Sequence, residues 1–300
     1  MKSRLIVNPV SGIDAGPEYL PLINERLRER LGALDIVMTT GAGDATQAAA
    51  QAVRDGYDYV FAGGGDGTLN EVLNGIASVP DGLGQTVLGV IPLGTGNDFA
   101  TALGFPDDIA AVLDALDTGA PIAVDVGVMN GHHFINVSAG GFMAEVSDAV
   151  GTQLKSIAGK LAYLIGGAQV LFTHEPVGAD VSWADAAATS SEHFELHAFA
   201  VCNSRQIGGG RLIAPDAVID DGLLDVCLIE SMPLADFVAL LRLVSNGEHV
   251  EDARVRYFRA ASIDLAFDHE VKVNTDGQVL DAARCEYRVL PRAARLVSVR

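Results

Sequence analysis

The chain has 300 residues, 49% hydrophobic and 20% charged, a globular rather than disordered composition with room for one large or two ordinary cores. Twenty basic against 39 acidic side chains give a net charge of −19, a field that repels nucleic acid and other polyanions unless a local cationic patch or a metal ion intervenes. No apolar run reaches the ~20 residues that span a bilayer, "MKSRLIVNPVSG" does not read as a signal peptide, and Cys202, Cys227 and Cys285 lack metal-type spacing and read as reduced core residues of a cytoplasmic protein.

From residue 1 to about 122, short β-rich runs alternate with helical patterns: "RLIV", "LDIVMT", "YDYVFA" and "TVLGVI" are each followed by a loop and a helix-like segment. That alternation predicts an α/β domain with a mostly parallel sheet covered on both faces. After "GGGDGT", Leu69, Val72, Leu73 and Ile76 fall on one helical face, and Gly75 interrupts the pattern only slightly.

Beyond about residue 122 the texture changes to strands and turns: "IAVDVGVM", "HHFINVSA", "EHFELHAFAVC", "GLLDVCLI", "ASIDLAF" and "EYRVL". Helices are expected over 153–173 and 233–246, the second with a proline near its start. This half reads as an antiparallel β domain, a sandwich or open barrel, with the boundary near 120–126 set by texture alone.

In an open parallel sheet, ligands bind outside the carboxyl ends of the strands. Four loops there share a composition: "NPVSG" (8–12), "TTGAGDA" (39–45), "GGGDGT" (63–68) and "PLGTGND" (92–98). Bare backbone amides approach phosphate oxygens closely, and a following helix N-terminus adds partial positive charge. One such loop is a tight turn; four on one edge point to a phosphate-bearing ligand. Neither the P-loop motif nor a complete Gly-x-Gly-x-x-Gly dinucleotide motif occurs. Phosphate charge in an acidic protein then calls for a divalent metal.

"GGGDGTLNEVLNG" with "IPLGTGNDFATALG" closely resembles the catalytic domain of the diacylglycerol kinase, sphingosine kinase and bacterial lipid kinase family, and "VNPVSG", "NVSAGGF", "CNSRQIGGGRLIAPDAVIDDGLLDV" and "VNTDGQVL" extend the likeness along the chain. The resemblance implies a nucleotide-binding α/β domain similar to NAD kinases and phosphofructokinases (1–122), a C-terminal antiparallel β-sandwich lipid-substrate domain (123–289) and a tail, 290–300, that returns to the first domain. It implies an active site in the cleft between the domains and transfer of the ATP γ-phosphoryl group to a hydroxyl of a diacylglycerol-like lipid at the membrane surface. It places ATP on Asn8, Thr39, the run Gly65, Asp66, Gly67, Thr68, Leu69, Asn70 and Glu71, and Thr95, with Asp66 close to the Mg-ATP phosphates. Asn97 and Asp98 suit a helix N-cap as well as a nucleotide contact. A structural Mg²⁺ site is implied at Asp221 with the carbonyls of Val218 and Leu223, a stretch that reads equally as an Asp-Gly hairpin turn.

The sequence departs from the family at one catalytic position. Where members typically carry Asp-Gly-Glu, "NTDGQ" presents Asp276, Gly277 and Gln278, and an amide cannot accept the hydroxyl proton. Asp276 or Asp66 then takes that role, or the acceptor differs, or turnover is weak. Two alternatives follow: a kinase of a soluble acceptor such as NAD or a sugar phosphate, and a weakly catalytic lipid- or nucleotide-binding regulator. The expected partners are a hydroxyl-bearing lipid and a peripheral membrane contact, with no nucleic acid and a homodimer as the assembly to test. His132 and His133 read as exposed turn residues and "RLRER" (26–30) as a solvated helix face. "ARVRYFR" (253–259) reads as a strand with one polar face or a headgroup contact, and 157–172, with Lys155 and Lys160, as sandwich core or a membrane dock.

Overall fold

The computed structural model describes residues 1–12, 16–147, 173–184 and 189–298; the helix expected over 153–173 and the membrane-docking reading of 157–172 with Lys155 and Lys160 lie outside them, except for Thr173, which is in a turn. The chain forms two compact units, Met1–Val124 with Arg292–Arg300, and Asp125–Pro291.

The first unit runs β1 (Lys2–Val7), α1 (Gly16–Leu31), β2 (Ala33–Met38), α2 (Asp44–Arg54), β3 (Tyr59–Gly64), α3 (Asp66–Ala77), the short α4 (Gly82–Gln85), β4 (Val87–Pro92), α5 (Asp98–Ala102) and α6 (Ile109–Thr118). The strands lie in the order β4-β3-β1-β2, each neighbouring pair parallel. Arg295 and Leu296, near the end of the long strand β15 (Gln278–Ser298), pair in parallel with Val87 and Leu88 at the β4 edge. β1, β3 and β4 are buried almost throughout, as strands covered on both faces must be. With all strands running one way, the loops after β1, β2, β3 and β4 leave from a single edge.

Helix packing explains a residue that the sequence pattern treats as a blemish. A Cβ on Gly75 would lie 2.3 Å from the Thr46 carbonyl oxygen and 2.8 Å from the Ala49 Cβ. Glycine there allows α3 to approach the alanine-rich α2, while Leu69, Val72, Leu73 and Ile76 of α3 are buried. The "RLRER" cluster is also more than a solvated face. Arg26 pairs with Asp114 and, at 2.7 Å, with Asp117 of α6, and Arg30 donates to the Gly119 carbonyl at 2.6 Å.

The second unit contains the rest of β5 (Ala120–Met129), then β6 (His132–Phe134), β7 (Val137–Gly141), β8 (Val177–Ala184), β9 (Thr189–Cys202), β10 (Gln206–Ile207), β11 (Arg211–Leu212), β12 (Leu224–Glu230), α7 (Leu234–Leu243), β13 (Val255–Ala260), β14 (Ser262–Thr275) and most of β15. Its strand path is β13-β12-β9-β7-β14-β15, with β8 against β9 and β14, and β5 against β15 and β6. The β13-β12, β12-β9, β9-β7, β7-β14, β14-β15, β8-β9, β8-β14 and β5-β6 pairs are antiparallel. The second half of β9, from Leu196, and β12 are buried on both faces: Val201, Val226 and Leu228 join one apolar cluster, and Ala200, Cys202, Cys227 and Ile229 join another. Phe237, Leu240 and Val244, from α7 and the residue after it, belong to the second. Cys202, Cys227 and Cys285 are buried free thiols.

One expectation for this half is corrected and one is met. His132 and His133 are strand residues opposite Met129 and Val128, because Asn130 and Gly131, at φ 48 and 88, make the turn themselves. "ARVRYFR" forms the expected strand, β13, with Arg256 and Arg259 exposed, and its arginines are each engaged by carboxylates: Arg254 by Asp252 and Asp236, Arg256 by Glu192, and Arg259 by Asp221.

Candidate active site

In the first unit the loops after β1, β3 and β4 interlock through backbone. A Cβ on Gly94 would lie 2.4 Å from the Gly65 Cα, and one on Gly12, which sits at φ +84, would lie 2.4 Å from the Leu93 carbonyl oxygen. Any side chain at these points would force the loops apart. A Cβ on Gly64 would meet the Thr68 hydroxyl at 2.4 Å, so Thr68 folds back over the glycine run. Asn8 ties β1 to this turn, its N–H donating to the Gly63 carbonyl at 2.9 Å and its amide to Thr68 Oγ1 at 3.3 Å.

Asp66, the first residue of α3, is half-buried and looks across to the β4 loop. Its carboxylate accepts hydrogen bonds from the backbone N–H of Asp98 at 3.1 Å and of Phe99 at 3.2 Å, the first two residues of α5. The cap of α5 therefore comes from another loop. Asn97, at φ 53 in the N-cap position, instead closes its own loop, accepting from Gly94 N–H at 3.0 Å and donating to the Gly94 carbonyl at 2.8 Å. Burial, and next the neighbouring Asp98, push the Asp66 carboxyl above its ordinary value, against the pull of the Phe99, Asp98 and its own backbone N–H groups. Asp98 itself is buried, and the sequence reading left it undecided between cap and contact.

The other nucleotide candidates divide. Gly65 and Gly67 lie at the α3 N-terminus, whose first-turn N–H groups have no intrahelical partner, and Thr95 is exposed in the β4 loop. Thr39 is buried, its N–H on the Val7 carbonyl at 2.8 Å. Leu69 turns into the core and its N–H closes the helix on the Gly65 carbonyl at 3.1 Å. Asn70 is buried and accepts from Asn74 within the helix at 3.1 Å. Glu71 accepts the Gly43 N–H at 3.1 Å, holding the β2 loop, which Asp44 also pins through Thr40 and Gly41. Leu69, Asn70 and Glu71 thus shape the loops from behind.

In the second unit, Asp276 occupies the turn between β14 and β15 at φ 46 and is buried. Its carboxylate accepts three backbone N–H groups: Ile135 at 2.7 Å, Asn136 at 3.1 Å and Val137 at 2.8 Å. Three of about four lone-pair directions are then occupied, which makes this carboxylate an organiser of residues 135–137. Gln278 is half-buried at the start of β15, opposite Thr275, and its side chain has no hydrogen-bond partner among the described residues. Beside the turn, Ser138 Oγ contacts Thr275 Oγ1 at 2.8 Å and Tyr287 Oη at 3.0 Å, a buried hydroxyl group of three that no sequence spacing announces.

Val218, Asp221 and Leu223 share the turn that leads into β12. Asp221 accepts the Leu223 N–H at 3.0 Å and faces Arg259 at 3.3 Å. Asp125, fully buried and missed in the sequence, fixes the turn by accepting the Gly222 N–H at 2.6 Å while its own N–H donates to the Ile219 carbonyl at 2.7 Å. Among the described residues no three His, Cys, Asp or Glu side chains are grouped to hold a metal. The turn offers a carboxylate and backbone carbonyls, an all-oxygen set of the kind Mg²⁺ accepts, with Arg259 as the competing cation.

Residues 2–129 match the family model described as the diacylglycerol kinase catalytic domain, and residues 136–298 match the YegS C-terminal NAD kinase beta sandwich-like domain. A diacylglycerol kinase of Bacillus subtilis (strain 168) is 33% identical over 280 residues, covering 92% of this chain and 89% of the relative. A diacylglycerol kinase of Staphylococcus aureus (strain JH9) is 37% identical over 277 residues, covering 92% and 86%. The crystal structure of a candidate diacylglycerol kinase from Bacillus anthracis strain Sterne superimposes with a TM-score of 0.82 at 27% identity, covering 99% of this chain and 95% of that one.

Proposed function

Because the chain belongs to the diacylglycerol kinase family and is a lipid kinase, we propose that it transfers the γ-phosphoryl group of Mg-ATP to the hydroxyl of a diacylglycerol-like lipid at a membrane surface. The observation that carries the nucleotide half is the contact of Gly65 with Gly94, which brings two bare loops together at the N-terminus of α3. Backbone amides there suit phosphate oxygens, and the helix end adds favourable charge. In this reading Gly65, Gly67, Thr68, Asn8 and Thr95 meet the nucleotide, Thr39 lies beneath it, and Leu69, Asn70 and Glu71 hold the loops in shape.

The hydroxyl of an alcohol is a weak nucleophile near neutral pH, so its proton must pass to a base while the transferred group is stabilised electrostatically. Gln278 cannot take that proton. Asp276 is committed to the three N–H groups of residues 135–137, whereas the Asp66 carboxyl, despite its backbone N–H donors, is shifted upward, chiefly by burial, toward the range where a base works best. Asp66 is therefore the proposed proton acceptor, with Asp276 and Gln278 as positioning residues for the turn. The Val218, Asp221 and Leu223 turn is the proposed site of a structural Mg²⁺, which would tie the strand β12 to its preceding loop.

The test is incubation with γ-labelled ATP, Mg²⁺ and a panel of vesicle-borne lipids and soluble acceptors. Label in a hydroxyl lipid, with co-flotation of protein and vesicles, is expected. Label in NAD or a sugar phosphate alone refutes the lipid reading, and label nowhere favours a binding regulator. For the structural metal, chelation should lower the melting temperature of the wild type and leave Asp221→Ala unchanged; equal loss in both removes that site.

A further inference from the structure

The second unit carries a small hairpin outside its large sheet: β10 and β11 pair with each other, Gln206 opposite Leu212 and Ile207 opposite Arg211. Its tip is Gly208, Gly209 and Gly210, all exposed and all at positive φ (62, 87 and 93), a run that residues with a side chain rarely adopt. Ideal Cβ atoms on Gly209 and Gly210 would meet nothing within 4 Å, so the turn geometry alone, and no packing contact, calls for glycine there.

The stem, by contrast, is fixed. Ile207 packs against the second apolar cluster, the Ala214 N–H donates to the Arg205 carbonyl at 3.2 Å, and the Gln206 carbonyl accepts from Asn136 Nδ2 at 3.1 Å. The Asn136 N–H in turn donates to Asp276 at 3.1 Å, so one residue joins the hairpin to the turn that carries Gln278. Two exposed arginines flank the tip. Arg211 Nη1 donates to the Gly208 carbonyl at 2.5 Å, and neither Arg205 nor Arg211 has a carboxylate partner among the described residues, whereas Arg254, Arg256, Arg259 and Arg284 of the same unit are each held by Asp or Glu.

We propose that the 206–212 hairpin, with Arg205 and Arg211, docks on an anionic lipid bilayer. This rests on the reading that the lipid acceptor is met at a membrane surface. The net charge of −19 repels an anionic leaflet, so approach needs guanidinium groups that no carboxylate of the protein already neutralises. Arginine matches phosphate oxygens as a planar fork, and a tip without side chains lets its backbone lie close to headgroups. An exposed tip gives a free anion no enclosure, whereas a bilayer presents headgroups to both arginines at once. The bilayer contact would then lie one hydrogen-bonded residue, Asn136, from the turn of Asp276 and Gln278.

The experiment is co-sedimentation with phosphatidylcholine vesicles, with and without phosphatidylglycerol, in the absence of nucleotide and diacylglycerol. The wild type is expected to bind the anionic vesicles more tightly and to lose that margin as NaCl is raised. Arg205→Gln breaks no hydrogen bond among the described residues and should weaken anionic-vesicle binding about fivefold; with Arg211→Gln added, the loss should be on the order of 25-fold. Arg256→Gln, which removes a guanidinium already paired with Glu192, should bind as the wild type does. Equal binding to both kinds of vesicle overturns the proposal, as does undiminished binding by the double variant or an equal loss in Arg256→Gln. Because no turnover is read, the outcomes separate from those of the kinase assay. Label in lipid with undiminished binding by the double variant sinks the docking site alone; label only in soluble acceptors with arginine-dependent binding sinks the lipid-acceptor reading and upholds the hairpin.

Discussion

Asp66 and Asp276 were both candidates for the base, and their surroundings separate them. Asp276 is held by three N–H groups from residues about 140 positions earlier in the chain, Asp66 by two from the next loop. Asp66→Asn keeps an acceptor for one of those N–H groups and removes the base, so kcat is expected to fall roughly 10²–10⁴-fold with the fold intact by circular dichroism. Full activity in that variant would refute the assignment. Gln278→Glu restores the family's carboxylate and should raise kcat; an unchanged rate would mean that Asp66 already carries the proton efficiently. Asp66 and the glutamine were legible from motif and chemistry alone. Their hydrogen-bond partners were not, because the spacing of a motif says nothing about which distant N–H groups the fold delivers to it.

At the level of elements, the alternation of β-rich runs with helical patterns located the strands and most helices of the first unit, and the turn residues outlined most strands of the second, though not β8 or the break between β6 and β7. Long-range fit was beyond reach. Gly75 looked like a weak point in α3 but is the point where α2 and α3 meet, its place for a Cβ filled by the Thr46 carbonyl at 2.3 Å. Gly75→Ala improves helix propensity by up to ~1 kcal/mol, but overpacking at a backbone contact costs about 1–3 kcal/mol. Net destabilisation in urea unfolding is therefore expected, and a stabilised variant would show that the helices separate freely. His132 and His133 were misassigned for a related reason: Asn130 and Gly131 already satisfy a two-residue turn, so the histidines begin the next strand.

For the molecule as a whole, Asp225 ties stability to acid pH. Asp225 on β12 is buried, accepts from the Tyr257 hydroxyl at 2.5 Å, and is pushed up to about 6, chiefly by burial. The folded state then keeps a proton that the unfolded state releases, so this group's contribution is complete below about 4 and lost as the pH rises through about 6. The amplitude is on the order of 3 kcal/mol at most. Asp225→Asn should flatten that segment of the stability profile between pH 4 and 6, measured by urea midpoints; an unchanged slope would place the proton elsewhere. Charge at the other extreme, −19 overall, was plain from composition.

The strand β15 begins at Gln278 in the second unit, and its far end, Arg295 and Leu296, seals the β4 edge of the first. During synthesis, then, the first unit emerges with Val87 and Leu88 on an open edge and waits while the whole second unit is translated. Such an edge invites pairing with other nascent chains until the late strand arrives. The order of manufacture thus gives the last few residues of β15 a protective task that no catalytic role would reveal.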